Sequence, residues 1–140
     1  MAAVRATDTK PELLIRRALH ARGFRYRLHV SAIPGKPDLV LPRYRAVVFV
    51  HGCFWHGHEC SQFHWPRTRE VFWRDKISGN CARDAAVRLR LLDGGWRVAT
   101  IWECALRGRN RLPFAEIIDS LGAWLSSDEK EILIKEQTVD

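Results

Sequence analysis

Hydrophobic and polar residues alternate along this 140-residue chain with two periods, one typical of helices and one typical of strands. The segment "TKPELLIRRALHARG" (9–23) has helical spacing, with Thr9 as a suitable N-cap and a glycine at its end. Helical spacing returns over residues 68–93, ahead of a pair of glycines, and we expect an interruption at Ser78–Gly79. The segment "PFAEIIDSLGAWL" (113–125) predicts a last amphipathic helix.

Four other segments carry the alternation or the short apolar runs that are typical of strands. They are "FRYRLHV" (24–30), "DLVL" (38–41), "AVVFV" (46–50) and "WRVATIWE" (96–103). The order is therefore one helix, three strands, helices, one strand and a helix. This order predicts an α/β sandwich around a small mixed β-sheet, as a single domain over residues 1–125.

The charge is distributed unevenly between this domain and the end of the chain. The whole chain has a net charge of +7, but the tail "SSDEKEILIKEQTVD" (126–140) holds five acids and two lysines, which leaves +10 on the rest. Most of the basic residues are arginines, which suit bidentate contacts with phosphates. A nucleic acid is the expected partner of a domain with this positive charge. The alternative is that the charge only keeps the protein in solution.

No apolar run approaches the roughly 18 residues that a membrane span requires. The start "MAAVRATDTK" lacks the apolar core of a signal peptide, so we expect the chain to stay in the cytosol. The four cysteines are then thiols or metal ligands rather than disulfides.

The stretch "FVHGCFWHGHEC" (49–60) places candidate metal ligands close together. Cys53, His58 and Cys60 can bind one ion, and structural zinc requires a fourth ligand. Cys104, at the end of a predicted strand, is the first candidate for that ligand, and Cys81 is the second. The alternative is a group of buried thiols without a metal.

Two further histidines of this stretch, His51 and His56, remain for chemistry as general base or acid. Asp38 begins a strand and can hold Mg²⁺ together with a backbone carbonyl of the neighbouring strand, which ends at Val50–His51. Glu12 can join them from the first helix. For Glu12 the alternative is a capping box, and for Asp38 it is an ordinary turn position after proline.

Several motifs occur here in an order that resembles the very short patch repair (Vsr) DNA mismatch endonucleases of bacteria. They are "TDTKPELLIRRAL", "IPGKPDLV", "VVFVHGCFWHGHEC", "FWRDKI", an Asn and an Arg-Asp pair within 80–84, and "GWRV" followed by "WECAL". The resemblance spans residues 5–125. It implies a restriction-endonuclease-like fold in three layers and a cytoplasmic, nucleoid-associated enzyme. It also implies a magnesium-dependent nick 5′ of the thymine in T:G mismatches, which arise when 5-methylcytosine deaminates in sites of the CC(A/T)GG type.

Carried over motif by motif, the resemblance implies that Asp38 and the Val50 carbonyl hold Mg²⁺ and that His56 is the general base. It places His51 near the scissile phosphate and gives Glu12 a supporting role at the metal. The implied structural zinc ligands are Cys53, His58, Cys60 and Cys104. Zinc would then fix the loop that carries the histidines.

The resemblance also implies DNA contacts. Phe54, Trp55 and Trp73 are expected to wedge between base pairs beside the mismatch, where unstacking costs least. Packing in the core is the alternative, chiefly for Trp73. Arg107 and Arg109 are expected to contact backbone phosphates, which position the protein without specifying the sequence.

Two departures from the family pattern matter. Gly57 and Glu59 interrupt a run of histidines but are not ligand positions, so zinc binding should survive. Only "MAAVR" precedes "ATDTKPE", where relatives have a longer basic segment that clamps the minor groove, and mismatch selectivity could be weaker for that reason.

Two other functions stay open. One is a nuclease of the same fold that cuts matched DNA, and the other is a zinc-stabilised DNA-binding module that has lost cleavage. We expect a monomer acting on double-stranded DNA, and the family suggests recruitment by mismatch-repair proteins.

Overall fold

The computed structural model describes residues 9–138. The segment "MAAVR" therefore lies outside the described residues. The helices and strands follow one another as α1 (Lys10–Ala21), β1 (Leu39–Leu41), β2 (Ala46–His51), α2 (Glu70–Asp93), β3 (Arg97–Trp102), α3 (Glu103–Leu106), α4 (Phe114–Leu125) and β4 (Glu131–Ile134). A single 3₁₀ turn, Pro42–Tyr44, joins β1 to β2. Within residues 9–138 no helix is long and apolar enough to cross a membrane.

The four strands form one mixed sheet in the order β1-β2-β3-β4. β1 runs antiparallel to β2, whereas β2 pairs with β3 and β3 with β4 in parallel. Parallel pairs need crossover connections, and α2 supplies the first of these and α4 the second. The predicted α/β fold with a mixed sheet flanked by helices is confirmed.

Alternate residues of β2 serve two cores, one on each face of the sheet. Ala46 and Val48 belong to the larger core, which α1 and α4 complete. Val47 and Phe49 belong to the smaller core, to which α2 contributes Leu91. Burial of apolar surface on both faces therefore fixes β2 between helical layers, and β2 is the strand that leads into the candidate site.

Arg97 ties β3 to the chain that leads into β4. Its guanidinium donates hydrogen bonds to the carbonyls of Trp124 (2.6 Å), Ser127 (2.9 Å) and Glu129 (3.0 Å), and it stacks on the Trp124 ring. Carbonyls at the end of α4 have no partner within the helix, so this cation satisfies them and compensates the helix dipole.

Three sequence-based predictions about elements were wrong. The segment 24–30 is not a strand, because it makes only one bridge, Arg27 to Val40. Its alternation instead reflects packing of Phe24, Tyr26 and Leu28 against the larger core. His29 has a positive φ of 56°, which an extended strand does not accommodate.

The expected interruption of α2 at Ser78–Gly79 is also absent, since the helix is continuous over 24 residues. Glycine weakens a helix by about 1 kcal/mol but keeps its amide, so the hydrogen-bond ladder continues through it.

The third error concerns the end of the chain, where β4 lies inside the segment set apart as an acidic tail. Ile134 is buried and Ile132 packs against the larger core, while Glu131 and Leu133 face the other way. Charged residues flank a short apolar run in this segment, and that run forms the strand that completes the sheet.

Candidate active site and metal centre

A cleft of about 710 Å³ opens where β2 ends, between the start of α1 and the middle of α2. We call it the Asp38 cleft. Six of the predicted residues line it, although they come from four separate segments of the chain: Glu12, Asp38, Val50, His51, Trp55 and His56.

Asp38 is partly buried against the end of β2. Its Oδ2 accepts a hydrogen bond from the Val50 amide at 2.6 Å. Burial raises the pKa of Asp38 to about 8, against the lowering effect of that hydrogen bond, and the neighbouring Glu12 carboxyl raises it further. Glu12 is itself only 5% exposed. A buried and a partly buried carboxyl group in contact favour a proton between them, or a cation in its place.

The Val50 carbonyl lies on the same side of β2 as Asp38. The amide and carbonyl of one residue leave an extended strand on the same side, and the Val50 amide is bonded to Asp38. A carboxylate with a backbone carbonyl beside it is a donor set that suits Mg²⁺, which keeps most of its waters and takes one or two carboxylates. The residues present therefore fit the ion.

His56 is paired with an acid that belongs to α2. Its Nδ1 lies 2.6 Å from Asp84 Oδ2. A carboxylate at Nδ1 places the proton of the neutral imidazole on that nitrogen and leaves the Nε2 lone pair available as a base. Asn80 and Cys81, on the same helix, bind the carbonyls of Trp55 and His56. One face of α2 thus orients both the ring and the backbone of the histidine.

His51 stacks on His56, with ring centroids 3.8 Å apart and planes within 4° of each other. Burial lowers the pKa of His51 to about 4, and the neighbouring His56 lowers it further, so the ring is neutral at neutral pH. Its Nδ1 is buried and has no hydrogen-bond partner among residues 9–138.

Ligand atoms of His51, His56 and Asp84 lie within 4.8 Å of one another. The in-plane lone pairs of parallel stacked rings do not converge on one point, however. This group therefore suits proton transfer better than metal binding.

A second cluster holds four soft or borderline ligands. The ligand atoms of Cys53, His58, Cys60 and Cys104 all lie within 4.8 Å of one another. Cys104 Sγ is 3.7 Å from His58 Nδ1, close to the separation of two ligands on a tetrahedral zinc ion. Burial raises the pKa of the Cys53 and Cys104 thiols, which disfavours thiolates unless a cation is bound. The donor set fits a structural metal ion such as Zn²⁺.

The structure distinguishes between the two candidates for the fourth ligand. Cys104 is fully buried at the start of α3, in the cluster. Cys81 is exposed on α2, where its thiol donates to the His56 carbonyl at 3.3 Å. Because β2 and β3 are parallel neighbours, the loop after β2 and the helix after β3 meet at the same edge of the sheet.

The three predicted wedge residues form one aromatic cluster beside the Asp38 cleft. Ring centroids of Phe54 and Trp55 are 5.2 Å apart, and Trp73 lies 5.4 Å and 5.7 Å from them respectively. None of the three is fully buried. The first turns of α2 place Trp73 against the loop, so this residue is not part of either core.

Arg107 and Arg109 are both exposed in the loop after α3. Arg107 is 3.7 Å from Glu103, a surface ion pair of small energy that a phosphate can replace. Glu103 also lines the Asp38 cleft, which links this basic loop to the site.

Sequence reasoning missed Asp84 as a site residue, and it also missed Lys76, Asn80 and Glu103, which line the Asp38 cleft. The Arg-Asp pair in "NCARD" is one of the family motifs, but the sequence alone predicts no role for its aspartate. The spacing from Asn80 to Asp84 places both residues on one helix face, which was the available signal.

Comparison with known proteins identifies relatives of one kind. A family model described as DNA mismatch endonuclease Vsr matches residues 1–62. The DNA mismatch endonuclease Vsr of Escherichia coli K12 is 40% identical over 139 residues, which cover 99% of this chain and 89% of that protein. The type II nicking enzyme V.XorIIP of Xanthomonas oryzae is 48% identical over 106 residues, or 76% of this chain and 78% of that enzyme. The type II nicking enzyme V.NmeAIP of Neisseria meningitidis is 44% identical over 109 residues, or 78% of each chain.

Proposed function

The chain belongs to the family of Vsr DNA mismatch endonucleases, as its motifs indicated, and we propose that it nicks double-stranded DNA 5′ of the thymine in a T:G mismatch. The reaction would be magnesium-dependent hydrolysis of one phosphodiester, at mismatches left by deamination of 5-methylcytosine. The observation that carries the proposal is the meeting of Asp38, the paired His56 and Asp84, and an aromatic cluster at one cleft.

Asp38 and the Val50 carbonyl would hold Mg²⁺, with Glu12 beside them. When bound, Mg²⁺ polarises the phosphodiester and stabilises the negative charge that develops during hydrolysis. The Glu12 carboxyl raises the pKa of Asp38, and two neighbouring carboxyl groups favour a bound cation over two free carboxylates.

His56 would remove the proton from the attacking water through Nε2, since Nδ1 is held by Asp84. Asp84 fixes the imidazole in this tautomer and stabilises the positive charge that the ring acquires. His51 remains neutral, and stacking against its ring keeps His56 from rotating away from Asp84.

Cys53, His58, Cys60 and Cys104 would hold Zn²⁺ in a structural role. Such an ion would join the loop after β2 to α3 and so limit the movement of His56, which lies between two of the ligands.

Phe54, Trp55 and Trp73 would enter the base stack beside the mismatch. Separating two base steps costs a few kcal/mol, and the cost is smaller at a wobble pair than at a matched pair. Arg107 and Arg109 would bind backbone phosphates. One cleft suffices for one nick, so a monomer is the expected active form.

A nicking assay tests this function. Labelled duplexes that carry one T:G pair, or its matched counterpart, in a CC(A/T)GG context are incubated with Mg²⁺ or without divalent ions. We expect a magnesium-dependent nick in the T:G duplex, which Asp38→Asn abolishes. Asp93→Asn, the same change at an exposed position at the end of α2, is the control and should nick normally.

Equal cutting of both duplexes would replace this function with that of a nuclease for matched DNA. Binding of DNA by the zinc-loaded protein without any cut would favour a silent binding module.

A further inference from the structure

A segment near the C-terminus contacts the candidate metal site formed by Cys53, His58, Cys60 and Cys104. Residues 131–137, which we call the C-terminal latch, comprise β4 and three residues beyond it. β4 pairs in parallel with β3, in a register that sets Ile101 against Ile134. The latch then continues past the strand end that carries Cys104, toward the loop that carries the other three ligands.

Glu136 makes contact with both halves of the cluster. Its amide donates to Cys104 Sγ at 3.4 Å. Its carboxylate accepts two hydrogen bonds from the residue after Cys60, one from the Ser61 amide at 2.9 Å and one from the Ser61 hydroxyl at 2.5 Å. These hydrogen bonds lower the pKa of Glu136, which keeps it an anion at neutral pH.

The contacts on either side of Glu136 reinforce the same connection. The Gln137 amide donates to the Asn110 carbonyl at 2.8 Å, and its side chain donates to the Arg111 carbonyl at 3.0 Å. Gln62, next to Ser61, donates to the Arg107 carbonyl. The latch therefore spans the gap between the loop of Cys60 and the segment that follows Cys104.

We propose that Glu136 is a positioning residue that retains the metal, and that the C-terminal latch closes the cluster by joining the loop of Cys60 to Cys104. The inference rests on the proposed metal centre. An amide that donates to a ligating sulfur stabilises its negative charge, and a neighbour that orients the ligands slows their separation. For a ligand to leave, the Ser61–Glu136 contact must open as well as the metal–ligand bond.

The test measures the rate at which zinc passes from the intact protein to a chromogenic chelator. Glu136→Gln should release zinc about tenfold faster than the wild type, in line with the effect of other residues that orient metal ligands. Ser61→Ala should also speed release, and the double variant should be no faster than Glu136→Gln alone, because both changes break the same contact. Glu129→Gln makes the same charge change at an exposed position ahead of β4, and it should release zinc at the wild-type rate.

A second readout separates this role from a general loss of stability. In the cobalt-substituted protein, Glu136→Gln should shift the thiolate-to-cobalt absorption band, because the amide bonded to Cys104 Sγ is displaced. Glu129→Gln should leave that band in place, and without metal both variants should unfold at the wild-type urea concentration. Point variants are preferred to truncation, since removal of Ile134 would open the core.

The possible results are distinct. Wild-type rates and an unshifted band in Glu136→Gln would overturn the latch, even where nicking is normal. A wild-type protein that binds neither zinc nor cobalt would overturn the metal centre and the latch together. Faster release from Glu136→Gln would support the latch even in a preparation that nicks no DNA, a result that would count against the proposed function alone.

Discussion

Asp84 and His56 are 28 residues apart in the chain, yet their side chains meet at 2.6 Å. The sequence motif predicts that His56 is a base, but it does not predict which carboxylate pairs with that histidine. The partner is set by where α2 crosses the end of β2, and this crossing is a product of tertiary packing. The pair is therefore the part of the site that only the structure supplies.

Asp84→Asn tests the role of this pair. An amide cannot stabilise an imidazolium and can donate to Nδ1, which favours the wrong tautomer of His56. We expect the single-turnover nicking rate on a T:G duplex to fall by about 10²–10⁴-fold, with DNA affinity little changed. Asp93→Asn serves as the matched control, and a normal rate for Asp84→Asn would show that His56 needs no carboxylate.

The raised pKa of Asp38 predicts that the free energy of unfolding falls as the pH rises. In the folded protein without Mg²⁺ its pKa is raised to about 8 from an ordinary value of 3.8, so the folded state holds a proton that the unfolded state releases. This contribution to the free energy of unfolding is complete below pH 4 and is lost as the pH rises toward 8. The slope is about 1.4 kcal/mol per pH unit within that window.

Urea unfolding between pH 5.5 and 8 measures this slope as the difference between the wild type and Asp38→Asn. His51, whose pKa is lowered to about 4, destabilises the fold as the pH falls from 6.5, but it does so in both proteins and cancels. Added Mg²⁺ should flatten the difference, because a bound cation takes the place of the proton. Parallel curves without Mg²⁺ would mean that Asp38 is already ionised in the folded protein.

At the scale of the elements, a turn at Gly35 sets the position of Asp38 against α2. Gly35 has a φ of +79°, and a Cβ there would overlap the Val87 side chain and approach Phe49 Cζ to 3.3 Å. Gly35→Ala should lower the free energy of unfolding by about 2–4 kcal/mol, from backbone strain and from overlap with a stiff side chain. Nicking should fall with it, since the same turn leads to Asp38.

Gly23→Ala is the control for this prediction. Gly23 also has a positive φ, of 92°, but a Cβ there meets no atom within 4 Å, so this variant should lose only the strain term of about 1–2 kcal/mol. Val87→Ala combined with Gly35→Ala should recover part of the stability. Equal losses in the two single variants would refute the contact between this turn and α2.

The elements differ in how far the sequence predicts them. Strands buried on both faces, such as β2 and β3, are clear from their apolar runs, and α1 is clear from its cap and spacing. The segment 24–30 alternates like a strand because its apolar side chains pack under helices, and alternation alone does not reveal hydrogen-bond partners. β4 was missed because four residues between charges carry too little pattern to outweigh the composition around them.

At the scale of the whole molecule, the candidate site is where separate segments of the chain converge. Three candidate metal ligands are predicted from spacing because they lie within eight residues, and Cys104 is predicted from its place at a strand end. The sequence does not predict the roles of Asp84 and Glu136, because their contacts form only after α2 and β4 have packed. Short motifs predict the chemistry, and the parallel sheet decides which distant residues support it.

Strand-specific mapping of the nick is the measurement that tests the proposed repair function most directly. A duplex with a single T:G pair carries a different fluorophore on each strand, and the products formed with Mg²⁺ are sized at single-nucleotide resolution. We expect one cut, directly 5′ of the mismatched thymine, with the guanine strand intact and the matched duplex uncut. Cuts in both strands, or equal cutting of the matched duplex, would contradict a mismatch-specific nicking enzyme.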